Sequence, residues 1–313
     1  MRIDVHAHLW TDGYLDLLDS YGRTDTATQR GTGAGATAQE LEARFELNDS
    51  AAITHQILSI SPQVPHFEER AHAVHAAAYA NDLYAGVVAD HPDRFSAFAA
   101  LPLPHVDAAL TELARALDDL DMAGAAVTTD VLGASLADPA FTSLFEELDR
   151  RHAVLYVHPS GHDAGTPLIA DHHMRWMVGA PMEDTIAVMH LILAGIPSRY
   201  PNVRIINSHL GGALPMLLRR ADDQYQWESP QTPDKPSAAA RRMWYDTVSH
   251  GHLPAIRAAA ETYGPDRLLL GTDFPYQNGD LLRRAVTSIH DALPGQDATT
   301  VLDRNATALL NKA

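Results

Sequence analysis

Between residues 3 and 273 the chain alternates short apolar runs with helical stretches, and few folds accept that alternation. The runs are R-I-D-V-H-A-H-L-W (2–10), I-T-H-Q-I-L-S-I-S (53–61), F-S-A-F-A-A-L (95–101) and A-G-A-A-V-T-T (123–129). They continue with A-V-L-Y-V-H-P (153–159), V-R-I-I-N-S-H (203–209), M-W-Y-D-T-V-S (243–249) and R-L-L-L-G-T-D (267–273). Periodicity predicts helices over 39–49, 67–90, 107–119, 139–151, 182–194 and 254–263, with a closing pair over 280–291 and 298–311. The run at 153–159 is apolar nearly throughout, as a strand buried on both faces must be. Eight strands alternating with helices in 313 residues predict a (β/α)8 TIM barrel, with a doubly wound open sheet as the runner-up. Residues 1–313 read as one domain. Within it, 11–38 reads as an irregular, flexible lid or insertion, ending in the Gly/Thr/Ala-rich T-Q-R-G-T-G-A-G-A-T-A.

The strand ends carry the chemistry. In the first run Ile3 and Val5 alternate with Asp4 and His6, and His6 and His8 fall on one face, about 7 Å apart by strand rise. Both can reach one metal ion. His158 ends strand five in Y-V-H-P, His209 ends strand six in N-S-H-L-G-G, and Asp273 ends strand eight in L-G-T-D-F-P. A barrel keeps its active site at the C-terminal ends of its strands. A single strand-end histidine can simply bond a backbone carbonyl, and a lone aspartate can cap a turn. Five such residues on four strands point to a metal site, and imidazoles with one carboxylate suit Zn²⁺ with a position open to water.

Charge and residue usage exclude several other functions. Lys and Arg number 23 against 40 Asp and Glu, a net charge of −17, which opposes binding to nucleic acid or to an anionic membrane. The chain has no cysteine, so disulfides, thiolate zinc sites and a cysteine nucleophile are out. No apolar run is long enough to span a bilayer and no basic, apolar leader opens the chain, so the expected location is cytoplasmic. Only two lysines occur, Lys235 and Lys312.

The H-x-H pair, the strand-five and strand-six histidines and the strand-eight aspartate resemble, in that order, the amidohydrolase superfamily of the amidohydrolase-2 type. Binuclear members bridge two metals through a carboxylated lysine ending strand four. Here that strand ends in Thr128 and Thr129, so the resemblance implies one metal. A closer likeness is to the branch typified by aminocarboxymuconate semialdehyde decarboxylase. It rests on I-D-V-H-A-H-L, Q-I-L-S-I-S-P (56–62), A-L-P-L-P (100–104), Y-V-H-P, W-M-V-G-A-P-M-E-D-T (176–185), A-G-I-P-S-R-Y-P-N-V-R (194–204), S-H-L-G-G-A-L-P (208–215) and L-G-T-D-F-P-Y.

The likeness implies that His6, His8, His158 and Asp273 hold one Zn²⁺ ion, or Mn²⁺ or Fe²⁺ in its place. It implies that His209 is the unliganded base acting on metal-bound water and that Asp273 relays a proton. Trp176 would line the substrate pocket. Arg220, eleven residues after His209, would reach across a homodimer to hold a substrate carboxylate. The implied reaction is non-oxidative decarboxylation of a small aromatic or conjugated carboxylic acid, by a carboxy-lyase. The alternatives are hydrolysis of an amide, lactone or C–C bond at the same site, or a metal-binding scaffold without turnover. The sequence departs from the branch in its short 11–38 excursion. Its arginines, Arg23 and Arg30, are out of register with the one those enzymes use there to grip substrate.

Overall fold

A computed structural model describes residues 1–310; Lys312 and the end of the helix predicted over 298–311 lie outside the described residues. Eight strands form the sheet: β1 Ile3–His8, β2 His55–Ser59, β3 Phe95–Ala100, β4 Gly124–Thr128, β5 Val154–His158, β6 Arg204–Asn207, β7 Trp244–Asp246 and β8 Leu268–Leu269. They pair in parallel and in chain order. The segment after β8 rejoins β1 through Val5 N–H to Leu270 O at 2.9 Å, Asp273 N–H to His6 O at 2.8 Å and His8 N–H to Phe274 O at 2.8 Å. The sheet is therefore a closed (β/α)8 barrel.

Among the described residues nine longer helices surround it: α1 Asp12–Ser20, α2 Ala38–Ser50, α3 Arg70–Asp90, α4 Val106–Asp118, α5 Thr142–Arg150, α6 Ala180–Leu193, α7 Leu214–Glu228, α8 Leu253–Tyr263 and α9 Asp280–Ala292. No helix among the described residues is long and apolar enough to cross a membrane.

Alternation along the strands divides the apolar residues into two cores. Ile3, Val5, Phe98, Tyr156, Ile206 and Leu309 pack inside the barrel, and a larger set fills the space between strands and helices. In β1 the alternation breaks. The pairing with β2 shifts register between Asp4 and Ala7, a bulge that leaves both Val5 and His6 on the inner side. Asp4 instead turns outward. Its carboxylate accepts from Thr272 N–H at 2.9 Å, Thr272 Oγ1 at 2.6 Å and Gln56 Nε2 at 2.7 Å. Gln56 in turn accepts from Arg44 Nε at 2.7 Å and Asn48 Nδ2 at 2.8 Å, both on α2. Arg44 is 1% exposed, donates to His8 O at 2.9 Å and covers the Phe274 ring at 4.4 Å. This buried network ties α2, β1, β2 and the end of β8 together at the seam of the barrel.

The structure differs from the sequence-based expectation in three places. The excursion over 11–38 is not irregular throughout, because Thr11 caps α1, which buries Tyr14, Leu15 and Leu18 on one face. Helix α7 has no counterpart among the predicted helices; only Leu214 and Leu218 are buried, too few for a periodic signal. Strands six and eight stop short of the residues expected to end them. His209 opens a 3-10 turn beyond β6, and Asp273 lies four residues beyond β8.

The clasp yields a stability prediction. Arg44→Met keeps the apolar stem but takes one donor from His8 O and one of the two donors from Gln56 Oε1, leaving Asn48 alone on the latter, and should cost about 3 kcal/mol. Urea unfolding of both proteins measures it, and a difference below about 1 kcal/mol would refute the clasp.

Candidate metal centre and its cavity

Four donor groups converge at the C-terminal mouth of the barrel. Ligand atoms of His6, His8, His158 and Asp273 all lie within 4.8 Å of one another, and all four residues are buried. His6 Nε2 and His8 Nε2 approach the same oxygen, Asp273 Oδ1, at 3.2 and 3.4 Å. Neither nitrogen has a hydrogen-bond partner. The other ring nitrogens are occupied: His6 Nδ1 faces Asp246 Oδ2 at 2.8 Å, His8 Nδ1 faces Ser59 O at 3.3 Å, and His158 Nδ1 faces Pro159 O at 2.9 Å. Each of these acceptors favours a proton on Nδ1, so in the neutral ring Nε2 carries the lone pair. Orphaned, buried imidazole nitrogens around a carboxylate are a donor set that fits one divalent ion.

Electrostatics agree. Burial drives the His8 imidazole down to about 4 and that of His158 well below its ordinary value, which keeps both neutral, the form that can bind a metal. For His6 burial acts the same way, but the carboxylates of Asp246 and Asp273 outweigh it and push the imidazole up to about 10. Burial would raise Asp273, yet His6 above all holds it well below the carboxylate range. The cluster is built to hold positive charge.

His209 stands beside this set rather than in it. Its Nδ1 faces Asp184 Oδ2 at 2.9 Å, and its Nε2 lies 4.0 Å from Asp273 Oδ2. Burial lowers the His209 imidazole, but the charge of Asp184 wins and raises it. Its backbone is in the left-handed region at φ 50°, as is that of Asp273 at φ 64°, a conformation uncommon for such residues and found at functional sites. The turn needs Gly212, where a Cβ would collide with Pro181 O at the start of α6. That close approach sets His209 against Asp184 of α6.

Two residues absent from the sequence-based site hold it in place. Asp246, ending β7, binds His6 through Oδ2, and its Oδ1 accepts from His209 N–H at 2.9 Å and Val248 N–H at 3.1 Å. Tyr156 Oη also donates to Asp246 Oδ2, at 3.2 Å. Asp184 accepts from Ser208 Oγ at 2.9 Å besides orienting His209. Asp246 falls in the middle of the strand predicted over 243–249 and ends it only in the structure, so it gave no strand-end signal. Asp184 sits inside a predicted helix, where an aspartate gives no signal.

A cavity of about 650 Å³ opens from His158, His209 and Asp273, with Trp176, Met177 and Val248 in its walls. Trp176 is 46% exposed, and its ring fills the space over Gly161, where a Cβ would come within 2.8 Å. Arg220 is on the exposed side of α7 and does not line the cavity of its own chain. Arg219 pairs with Asp223 at 3.2 Å, whereas among the described residues Arg220 bonds only the neutral Gln224, at 3.3 Å. Beside His158 in the sheet register stands Thr128, and Lys235 is on the surface near Asp222 at 3.2 Å. Among the described residues no lysine reaches the centre.

The model of the amidohydrolase family matches residues 3–312. The 6-methylsalicylic acid decarboxylase of Aspergillus aculeatus is 30% identical over 322 residues, spanning 99% of this chain and 96% of that protein. The 2-amino-3-carboxymuconate-6-semialdehyde decarboxylase of Dictyostelium discoideum is 25% identical over 304 residues, spanning 90% of this chain and 84% of that protein. Among solved structures, the dihydroxybenzoic acid decarboxylase of Polaromonas sp. JS666, with bound manganese and 2-nitroresorcinol, superposes with a TM-score of 0.86 at 25% identity, covering 100% of this chain and 98% of that one. The chain thus belongs to the amidohydrolase family, in the branch that holds the aminocarboxymuconate semialdehyde and aromatic-acid decarboxylases.

Proposed function

We propose that the protein is a metal-dependent, non-oxidative carboxy-lyase of a small aromatic carboxylic acid. The observation that carries this reading is the single buried cluster of three imidazoles and one carboxylate, with His209 beside it at the floor of the apolar cavity. The named relatives are decarboxylases, which favours this reaction over hydrolysis at the same site. His6, His8, His158 and Asp273 would hold one ion, and the lack of a lysine near Thr128 supports one rather than two. Zn²⁺, Mn²⁺ and Fe²⁺ all suit the donor set, and manganese in the Polaromonas enzyme supports the second. When bound, the ion supplies a positive charge that fixes and polarises the substrate's oxygens.

The chain's own residues do the rest. Asp184 keeps a proton on His209 Nδ1, so Nε2 is the basic atom facing the cavity. His209 Nε2 takes a proton from water and that same proton passes by way of Asp273 to the ring carbon that bears the carboxylate, while the hydroxide left behind takes up the departing CO₂ as bicarbonate. That protonation breaks the ring's conjugation. The C–CO₂ bond then cleaves, its electron pair returns to the ring, and CO₂ leaves. Trp176 would stack on the ring and the apolar walls would exclude bulk water. Arg220 would enter a partner's cavity in a homodimer and bind the reacting carboxylate. Its lack of a carboxylate partner supports this, as do Met216, 77% exposed, and Trp227, 68% exposed, on the same helix.

Four outcomes are expected. His6→Ala and Asp273→Ala should each lose the metal by elemental analysis, and full retention in either would refute its ligand role. His209→Ala should keep the metal and lose roughly 10²–10⁴-fold in kcat on aromatic acids assayed for released CO₂. His209 works in its neutral form, so activity should fall as pH drops through its raised pKa. Asp184→Asn removes the charge that raises it, and the acidic limb of the kcat/KM profile should move to lower pH; an unmoved limb would sink the pairing. Finally, mixing inactive Arg220→Ala with inactive His209→Ala should restore partial activity through hybrid sites. No recovery after demonstrated subunit exchange would count against the shared site.

A further inference from the structure

The cavity wall that carries Trp176 and Met177 belongs to the long connection between β5 and α6, and one buried carboxylate grips that connection at its neck. Glu183, in the first turn of α6, is 5% exposed. Its Oε2 accepts from Gly161 N–H at 2.9 Å and Thr129 Oγ1 at 3.4 Å, and its Oε1 accepts from Ala164 N–H at 3.2 Å. Ser160 Oγ is also 3.1 Å from Oε2, but its single proton goes to the nearer acceptor, Asp130 Oδ2. Thr129 Oγ1 in turn accepts from Ser160 N–H at 3.1 Å, which joins the end of β4 to the same neck. A carboxylate withdrawn from water costs free energy unless donors replace that water, and here the loop supplies them.

The neck is shaped for a fixed anion. Gly161 at φ 78° and Ala164 at φ 49° are both in the left-handed region, a backbone conformation that turns N–H groups inward on an acceptor. Ala164 carries a Cβ and adopts it at a cost that its bonded N–H offsets. Gly161 also meets Trp176: a Cβ there would come within 2.8 Å of the indole, so the ring rests on the bare Cα. One residue thus gives its N–H to Glu183 and its open face to the aromatic wall. Trp176 sits in the π-helical turn Arg175–Gly179 that runs into α6, so the loop that Glu183 grips at its start ends at the same helix. Asp184, the next residue, bonds His209 instead.

We propose that Glu183 is a positioning residue for the reaction. Among the described residues no hydrogen bond joins it to His209 or to the candidate metal ligands. It acts through Gly161, fixing the place of Trp176 and so the width of the cavity over the metal centre. The inference rests on the decarboxylase reading for the cavity as the substrate's seat, but not for the clamp itself. A glutamine in its place has one oxygen and one NH₂ group, so either Gly161 N–H or Ala164 N–H faces a donor and the neck opens.

Amide hydrogen exchange on the manganese-loaded protein tests the clamp without any substrate. Glu183→Gln should speed exchange over residues 160–179 about tenfold and leave exchange in β1 and β6, and the metal content, as they are. Unchanged exchange in the loop, or loss of the metal, overturns the inference. Calorimetry with 2-nitroresorcinol tests the route through Trp176. Glu183→Gln should weaken binding about tenfold, yet weaken it no further in a Trp176→Ala background. An equal loss in both backgrounds would assign Glu183 a merely structural role. Gly161→Ala keeps the carboxylate and drives the indole off its seat, so it too should lose about tenfold in binding. Full affinity in Gly161→Ala overturns the inference even if Glu183→Gln does not fold. CO₂ release from 2,6-dihydroxybenzoate is followed alongside, and Glu183→Gln should raise KM about tenfold while changing kcat less than about threefold. If the unaltered protein neither binds 2-nitroresorcinol nor releases CO₂, the decarboxylase reading fails and exchange alone decides the clamp. If it does both and exchange in the variant is unmoved, the reverse holds.

Discussion

One carboxylate governs the geometry of this site. Asp246 binds the His6 imidazole with one oxygen and the backbone N–H groups of His209 and Val248 with the other. A candidate metal ligand from β1, the His209 imidazole beyond β6 and the cavity wall beyond β7 are thereby fixed to a single rigid group. Its charge also sets chemistry. The pull on His6 keeps that ring in one tautomer, and tautomer decides whether Nε2 can ligate at all. Burial alone would raise the Asp246 carboxyl, but the facing His6 holds it down, so the group stays anionic in a site that water does not reach.

The catalytic mouth is divided into two electrical regions. At its floor, buried carboxylates and imidazoles make a centre that demands a cation. Above it the cavity has almost no formal charge, and a ring can settle there at little desolvation cost. The strong acidity of the whole chain, −17, does not reach inside as a repulsive field. Exposed acids such as Asp12, Asp16 and Asp19 are met by Arg30, and the rest are screened by solvent. Net charge and active-site charge are independent properties of this molecule.

Much of this was legible in the sequence because a barrel converts strand order into site order. His6, His8 and His158 stood at strand ends in the sequence and stand together in space, since β1 and β5 deliver them inward at one level. Where the structure departed, the causes are local. His209 and Asp273 are reached by left-handed turns, which no apolar periodicity encodes. Helix α7 buries two leucines and turns its polar length outward, so it is invisible to any search for an apolar stripe. Asp184 acts from a helix interior, and its role exists only because Gly212 lets a distant turn come close.

The bulge in β1 has a consequence for how such a protein can change. Because Val5 and His6 both face inward, the strand belongs to two registers at once. Before the bulge it faces Asp4 out to the barrel seam; after it, it faces the two histidines in to the candidate metal centre. Losing one residue between Asp4 and His6 would restore plain alternation at the cost of turning a ligand or the clasp the wrong way. Closure of the barrel and the geometry of the candidate metal centre are therefore inherited as one unit, and neither can be tuned by shifting β1 without disturbing the other.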